Sequence, residues 1–177
     1  TYIDAGAVED MSSYVTDEDK KEYKYLSNGN MMDGQYGWPL VTGVPFVLYY
    51  NEDILNALGE KAPETWDDFA RICQEATKDT DGDGKVDQYG FACGMKTSDI
   101  GAMQILNAYY YSGLWQNGGQ VYNDDLKSVS FADEAGKEAV TWLKGLTSYM
   151  NEDFMSLSWS DAFSNVFGAG KAAFGIT

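Results

Sequence analysis

The stretch "PETWDDFARICQEATKDTDGDGKVDQYGFACG", Pro63 to Gly94, constrains this chain more than any other. Thr65 stands where a helix N-cap belongs and Asp68 follows three residues later, the spacing of a capping box. Phe69, Ile72, Cys73 and Ala76 then fall on one face of a helix predicted to run to about Lys78. Past the Asp-rich loop, "VDQYGFACG" reads as a buried strand around Tyr89 to Cys93. A helix with one apolar face, joined by a loop to a buried strand, satisfies both as a helix layer on a sheet. The predicted fold class is therefore α/β.

The flanking segments extend that pattern. Thr16 followed by acidic residues predicts a helix start in "SSYVTDEDKKEYKYL", and "NGNMMDGQYG" breaks it. "GWPLVTGVPFVLYYN" predicts extended chain ending in a strand at Phe46 to Tyr50, then a short helix from Asn51 and Glu52 to Gly59. Ile100, Met103, Leu106 and Tyr110 fall at helical intervals within a helix predicted from Ser98 to about Ser112. Ala139, Trp142, Leu143, Leu146 and Met150 form one stripe of a helix from about Asp133 to Met150. A last helix near Ser160 to Phe167 precedes a "GAGK" turn and the strand "AAFGIT".

Composition removes whole classes of function. There is no histidine, which excludes a Ser-His-Asp triad, a Cys-His dyad and any zinc site that needs His. Twelve basic against 28 acidic residues give a formal charge of −16, a field that repels phosphate backbones, so nucleic acid is not an expected partner. No run of about 18 apolar residues exists to span a membrane. The chain opens at "TYIDAGAVEDM" with neither initiator Met nor signal peptide, and is expected to be an excised piece of a longer protein. Cys73 and Cys93 are too far apart for a CxxC motif; a helix-to-sheet disulfide and two buried thiols both remain open.

"KDTDGDGKVDQYG" places side-chain oxygens at positions 1, 3, 5 and 9 of an EF-hand-type loop, as Asp79, Asp81, Asp83 and Asp87. Gly84 occupies the turn position, and Lys85 at position 7 offers its backbone carbonyl. Position 12, where a bidentate Glu belongs, holds Gly90, and a strand follows instead of a helix. The expectation is a structural Ca²⁺ site rather than a calcium switch, against the alternative of a metal-free Asp/Gly turn.

Four stretches in order, "DGQYGWPLVTGVPFVLYYNEDIL", the helix–loop–strand segment above, "LWQNGGQVY" and "SWSDAFSNVFGAGKAAFGIT", resemble the middle of an extracellular solute-binding protein of the carbohydrate ABC-importer type, the relatives of maltose-binding protein. The resemblance implies a periplasmic-binding-protein type II-like fold. Residues 1–44 would be the end of the first lobe and the inter-lobe crossing, and residues 45–177 a second-lobe α/β domain incomplete at its C-terminus. It implies a non-enzymatic receptor that binds a mono- or oligosaccharide in an inter-lobe cleft and delivers it to a membrane permease. Such a protein would be an extracellular monomer, either a cell-surface lipoprotein or periplasmic.

Sugar recognition needs flat aromatic faces and planar polar groups for paired hydroxyls. Trp38 and Trp159 stand at loop positions suited to stacking, Trp159 just before a helix that has Asp161 near its start. Thr42 and Gly43 line the cleft floor by resemblance. Thr97, Ser98 and Asp99 follow the strand at Cys93, and open α/β sheets bind ligands beyond their strands' carboxyl ends. Trp115 and Asn117 resemble a family landmark near the cleft. Each has a plainer role open to it: packing for the tryptophans, a turn for Thr42 and Gly43, helix capping for Ser98 and Asp99. Trp66 and Trp142 read as structural. Two other classes stay in view: a glycoside hydrolase fragment using paired carboxylates, for which no pair can be placed, and a calcium-stabilised interaction module, for which a second loop is missing.

Overall fold

The computed structural model describes residues 2–39, 45–97 and 103–177, and its contacts separate into two units between Pro45 and Phe46. In the N-terminal unit, α1 (Asp17–Glu22) starts at Thr16 with the expected cap: Thr16 Oγ1 accepts from the Asp19 amide, and Asp19 Oδ2 accepts from the Thr16 amide. The segment read only as a break forms a hairpin of β1 (Asn30–Met31) and β2 (Gly34–Gln35), with Met32 in the left-handed region at φ 54°. Gln35 is buried, and its side-chain amide is used by the carbonyls of Leu26 and Gly37.

The second unit is built on three strands. β3 (Leu48–Tyr50) pairs antiparallel with β5 (Ala172–Ile176), Tyr50 opposite Phe174. β4 (Tyr89–Ala92) pairs parallel with the other edge of β5, Phe91 opposite Phe174. β5 is thus central, and its run "AAFGI" is apolar throughout because both faces are covered. β3 begins at Leu48, two residues later than predicted, although Val47 and Thr177 still exchange backbone bonds at 2.9 and 3.2 Å.

α2 (Glu52–Leu58) starts at Asn51, whose side chain accepts from the amides of Asp53 and Ile54, and it ends at Gly59 in the left-handed conformation (φ 74°). α3 (Trp66–Ala76) carries the expected capping box at Thr65 and Asp68, and all four predicted face residues are buried. It stops two residues short of Lys78 because the chain turns there into a backbone bridge: the Lys78 amide donates to Gln88 O (2.9 Å) and the Gln88 amide to Lys78 O (3.1 Å). Phe69 on α3 meets Phe91 of β4 at 5.5 Å and Phe174 of β5 at 4.8 Å between ring centroids, the centre of the main core.

The predicted stripe of Ile100, Met103, Leu106 and Tyr110 is corrected by the structure. Ile100 lies outside the described residues, and Met103 and Leu106 are exposed. The buried face runs instead through Ile105, Ala108 and Tyr109; a π-helical turn, Leu106–Tyr111, continues into α4 (Ser112–Gln116), and its extra residue per turn makes Leu114, five positions on, the next inward residue. Ser112 Oγ donates to the Asn107 carbonyl at 3.0 Å within this turn. α5 (Glu134–Gly145) is capped by Asp133 and stops short of the predicted end at Met150, because the chain tightens into a 3₁₀ turn, Leu146–Tyr149, that brings Met150 beside Phe91. α6 (Trp159–Ala162), capped by Ser158, continues as a second π turn, Phe163–Phe167. Tyr49 meets the Phe163 and Phe167 rings at 5.3 and 6.4 Å, in the room left by Gly175, its cross-strand partner.

Cys73 and Cys93 are both buried and unbonded. Burial pushes the Cys93 thiol up to about 12 and raises Cys73 as well. Among the described residues no helix is long and apolar enough to cross a membrane.

Helix α3 approaches β4 so closely that a Cβ on Gly90 would lie 2.3 Å from the Cys73 carbonyl oxygen and 2.5 Å from Cys73 Cα. Both are backbone atoms, so relief requires the helix to move. Gly90→Ala is expected to cost roughly 1–3 kcal/mol or more in urea unfolding; a variant as stable as the parent would disprove this packing.

Candidate functional site

Beyond the carboxyl end of β4 the chain is laced to a second segment. The Cys93 amide donates to Asn151 Oδ1 at 2.8 Å, the Met95 amide to Phe154 O at 2.7 Å, and the Lys96 amide to Leu157 O at 2.9 Å. Gly94 permits this contact, since a Cβ there would lie 2.2 Å from the Ser158 carbonyl oxygen. Asn151 is the anchor: it is 2% exposed, and its Nδ2 donates to Asp153 Oδ1 at 2.8 Å.

This lacing brings Trp159 beside the segment that contains Lys96 and Thr97. The indole meets Phe46, just ahead of β3, edge to face with centroids 5.9 Å apart. Trp159 is half-buried, and its Nε1 is a buried donor with no partner among the described residues. Lys96, Thr97, Ser160 and Asp161 are exposed polar groups on the same two segments. Asp161 is held by Ser158, whose Oγ donates to Oδ2 at 2.6 Å and accepts from the Asp161 amide at 3.1 Å. An aromatic wall beside hydroxyl, ammonium and carboxylate groups can pack against apolar C–H surface and bond neighbouring hydroxyls.

The other predicted ligand residues fall elsewhere. Thr42, Gly43, Ser98 and Asp99 lie outside the described residues. Trp38 belongs to the N-terminal unit, where it packs edge to face on Tyr23 at 5.3 Å and lines a depression of about 630 Å³ with Tyr14 and Tyr36. Trp115 is 56% exposed and lies on Tyr111 at 5.5 Å, while Asn117 lines a small cavity between α3, α4 and α5. Phe46 and Asn151 were not singled out from sequence. Asn151 carried one signal, a polar residue directly after an apolar stripe.

In the Asp-rich loop, Asp79, Asp81 and Asp87 bring one carboxylate oxygen each to within 4.8 Å of one another. Oxygens bound to one Ca²⁺ at 2.3–2.6 Å can be up to about 5 Å apart, so the three fit a common ion. Asp79 accepts from the Gly82 and Gly84 amides (2.6 and 2.7 Å), and those bonds hold its carboxyl below the usual range. Asp87, lowered in the same way by Thr80, accepts from that residue's hydroxyl and amide. Asp83 is not in the group; it accepts from the Lys85 amide at 2.8 Å. The neck of the loop is closed by protein alone, through the Lys78–Gln88 bridge and Gln88 Nε2 donating to Ala76 O at 2.7 Å.

The mixed helix-and-sheet architecture is that of type II periplasmic binding proteins, as its family match and structural neighbours show. All of residues 1–177 match the family model described as bacterial extracellular solute-binding protein, and the chain belongs to that family, which places it among proteins acting outside the cytoplasmic membrane. Binding proteins of Brucella abortus (strain 2308) and Brucella suis biovar 1 (strain 1330) are each 28% identical over 168 residues, covering 88% of this chain. The chain spans 38% of the length of those curated relatives.

Solved structures share the fold across nearly the whole chain. An ABC transporter solute-binding protein of Thermotoga lettingae TMO, bound with α-D-tagatose, has a TM-score of 0.65 at 18% identity, covering 100% of this chain and 44% of its own. One from Agrobacterium radiobacter K84, in complex with ribitol, has 0.66 at 20%, covering 99% and 43%. The maltose/maltodextrin-binding domain of Bdellovibrio bacteriovorus, bound to maltotriose, has 0.65 at 15%, covering 99% and 42%.

Replacing Asn151 by Ala leaves the buried Cys93 amide without an acceptor, a loss of about 1–3 kcal/mol. Hydrogen exchange at that amide is expected to accelerate along with the Met95 and Lys96 amides. Unchanged exchange at Cys93 would refute the anchoring role.

Proposed function

We propose that this chain is part of the sugar-binding component of an ABC importer. The observation that carries the reading is Trp159, held beside the polar segment that follows β4 at the sheet's carboxyl end. The family membership and the polyol- and sugar-bound neighbours support it. The ligand is a mono- or oligosaccharide whose C–H face rests on the Trp159 indole while Thr97, Lys96 and Asp161 bond its hydroxyls. The whole protein holds it between two lobes, favours the closed state by differential affinity and hands the sugar to a membrane permease. It does so as a monomer without chemical change to the ligand, outside the cell membrane, lipid-anchored or free in a periplasm.

Calorimetric titration with a panel of mono- and oligosaccharides tests this reading. Saturating heat with one sugar, weakened about tenfold by Trp159→Ala, is the expected result. Heat that continues after each injection would instead mean turnover and a glycoside hydrolase. A response untouched by the Trp159 change would move the site elsewhere.

Asp79, Asp81 and Asp87 are further proposed to hold a structural Ca²⁺, with the Lys85 carbonyl and water completing the shell. Because the loop's neck is closed by protein hydrogen bonds, the ion would order the loop without being required for the fold. At a calcium concentration 100 times Kd the gain is about 2.7 kcal/mol. A midpoint shift on adding calcium that Asp79→Asn abolishes is expected in thermal unfolding; an identical midpoint with calcium and with chelator would exclude the site.

A further inference from the structure

A cavity of about 250 Å³ lies between the start of α3, the end of α4 and the middle of α5, lined by Trp66, Asp67, Gly113, Asn117, Glu138, Ala139 and Trp142. Its walls are two indoles, Trp66 and Trp142, set at 69° with centroids 4.5 Å apart. Trp66 cannot swing freely, because its Nε1 donates to Gln116 Oε1 at 2.9 Å. Trp142 is backed by Phe69 of the core at 5.8 Å. Gly113 and Ala139 keep the floor low: a Cβ on Gly113 would already lie 3.2 Å from that of Ala139.

The polar lining is one-sided. Asp67 and Glu138 bring two carboxylates that no lysine or arginine among the described residues neutralises: Lys137 pairs with Glu134, and Arg71 with Glu60, Glu75 and Asp68. Trp66 Nε1 already donates to Gln116, and Trp142 Nε1, which has no partner among the described residues, is buried away from the open space, so Asn117 is the lining side chain left with an accessible N–H to donate. Sugars ask for donors and acceptors in similar number. An ammonium ion brings positive charge and no acceptor, and indole faces attract it through their quadrupole.

We propose that this cavity is a binding site for a small alkylammonium ion, held against Trp66 and Trp142 and charge-compensated by Asp67 and Glu138. It stands apart from the Trp159 segment and does not depend on the sugar reading. The chain's charge of −16 draws such cations in, so binding weakens as salt rises.

Tetramethylammonium is the probe, read in the whole chain by the indole N–H resonances of its five tryptophans. Saturable shifts at Trp66 and Trp142, with Trp38 and Trp159 unmoved, are expected. Glu138→Gln, an exposed substitution that leaves the fold intact, should weaken binding about threefold, and the Asp67→Asn/Glu138→Gln pair at least about tenfold, since each removes an attracting charge near the ring faces. Three results would overturn the proposal: no saturable shift at these two indoles, equal affinity for neutral neopentyl alcohol, or undiminished binding in the double variant. Shifts at Trp66 and Trp142 with a sugar and not with the cation would also overturn it, and would give the cavity to carbohydrate.

Discussion

The second unit depends on burying β5 from both sides. Ala172, Ala173 and Phe174 have no exposed surface, and the strands that pair with them lie far upstream in the chain, one antiparallel and one parallel. Nothing local can stabilise such a strand, since its hydrogen bonds and its apolar faces both wait for partners closed through long loops. Once it is in place, the order β3-β5-β4 follows, and Phe174 becomes the post on which Phe69 of α3 rests. Because β4 and β5 are parallel, their carboxyl ends share one edge, and the β4 end leads straight into Lys96 and Thr97.

That edge is made precise by a polar group in an apolar place. Asn151 is as buried as the core around it, and its one acceptor oxygen ends the β4 backbone at Cys93. An unsatisfied amide there would be costly, so the bond fixes where the post-strand loop leaves the sheet. Lys96 and Trp159 become neighbours as a consequence of that bond and the two backbone bonds beyond it.

Local chemistry was legible where the residues answer to their own neighbours. The caps at Thr16, Asn51 and Thr65, the left-handed stop at Gly59 and the buried face of α3 all follow from spacing within one or two turns. The limits show in a repeated string. "YNEDI" and "MNEDF" differ in their flanks alone, yet Asn51 caps α2 while Asn151 reaches across to Cys93. A cap rule reads both alike, because the contact that separates them joins residues 58 positions apart in the chain. The stripe through Met103 and Leu106 failed for a different reason: helical spacing fits more than one face, the buried one runs through Ile105, Ala108 and Tyr109, and the π turn then lengthens the next step to five residues, Tyr109 to Leu114. The same turn places Tyr109 against Cys93, where burial raises both groups above their ordinary values.

At the Asp-rich loop, the bonds that hold the junction together lie outside the carboxylates that define the motif. By its place in the sequence, an ion in this loop would fasten the end of α3 to the start of β4. In the structure that junction is fastened already, by the Lys78–Gln88 bridge, by Gln88 reaching the Ala76 carbonyl, and by the Gly90 amide donating to Thr77 Oγ1 at 3.0 Å. The carboxylates lie on the loop side of that bridge, Asp79 and Asp87 directly next to its two residues, and they are turned toward one another by bonds that lower both carboxyls, from backbone amides at Asp79 and from the Thr80 hydroxyl and then its amide at Asp87. Those amides offset part of the mutual repulsion of three like charges, but each bond they make also occupies an oxygen lone pair. The proposed cation would therefore meet a loop preorganised in shape and with part of its lone pairs already used, which fits an ion that quiets a surface loop better than one that drives folding.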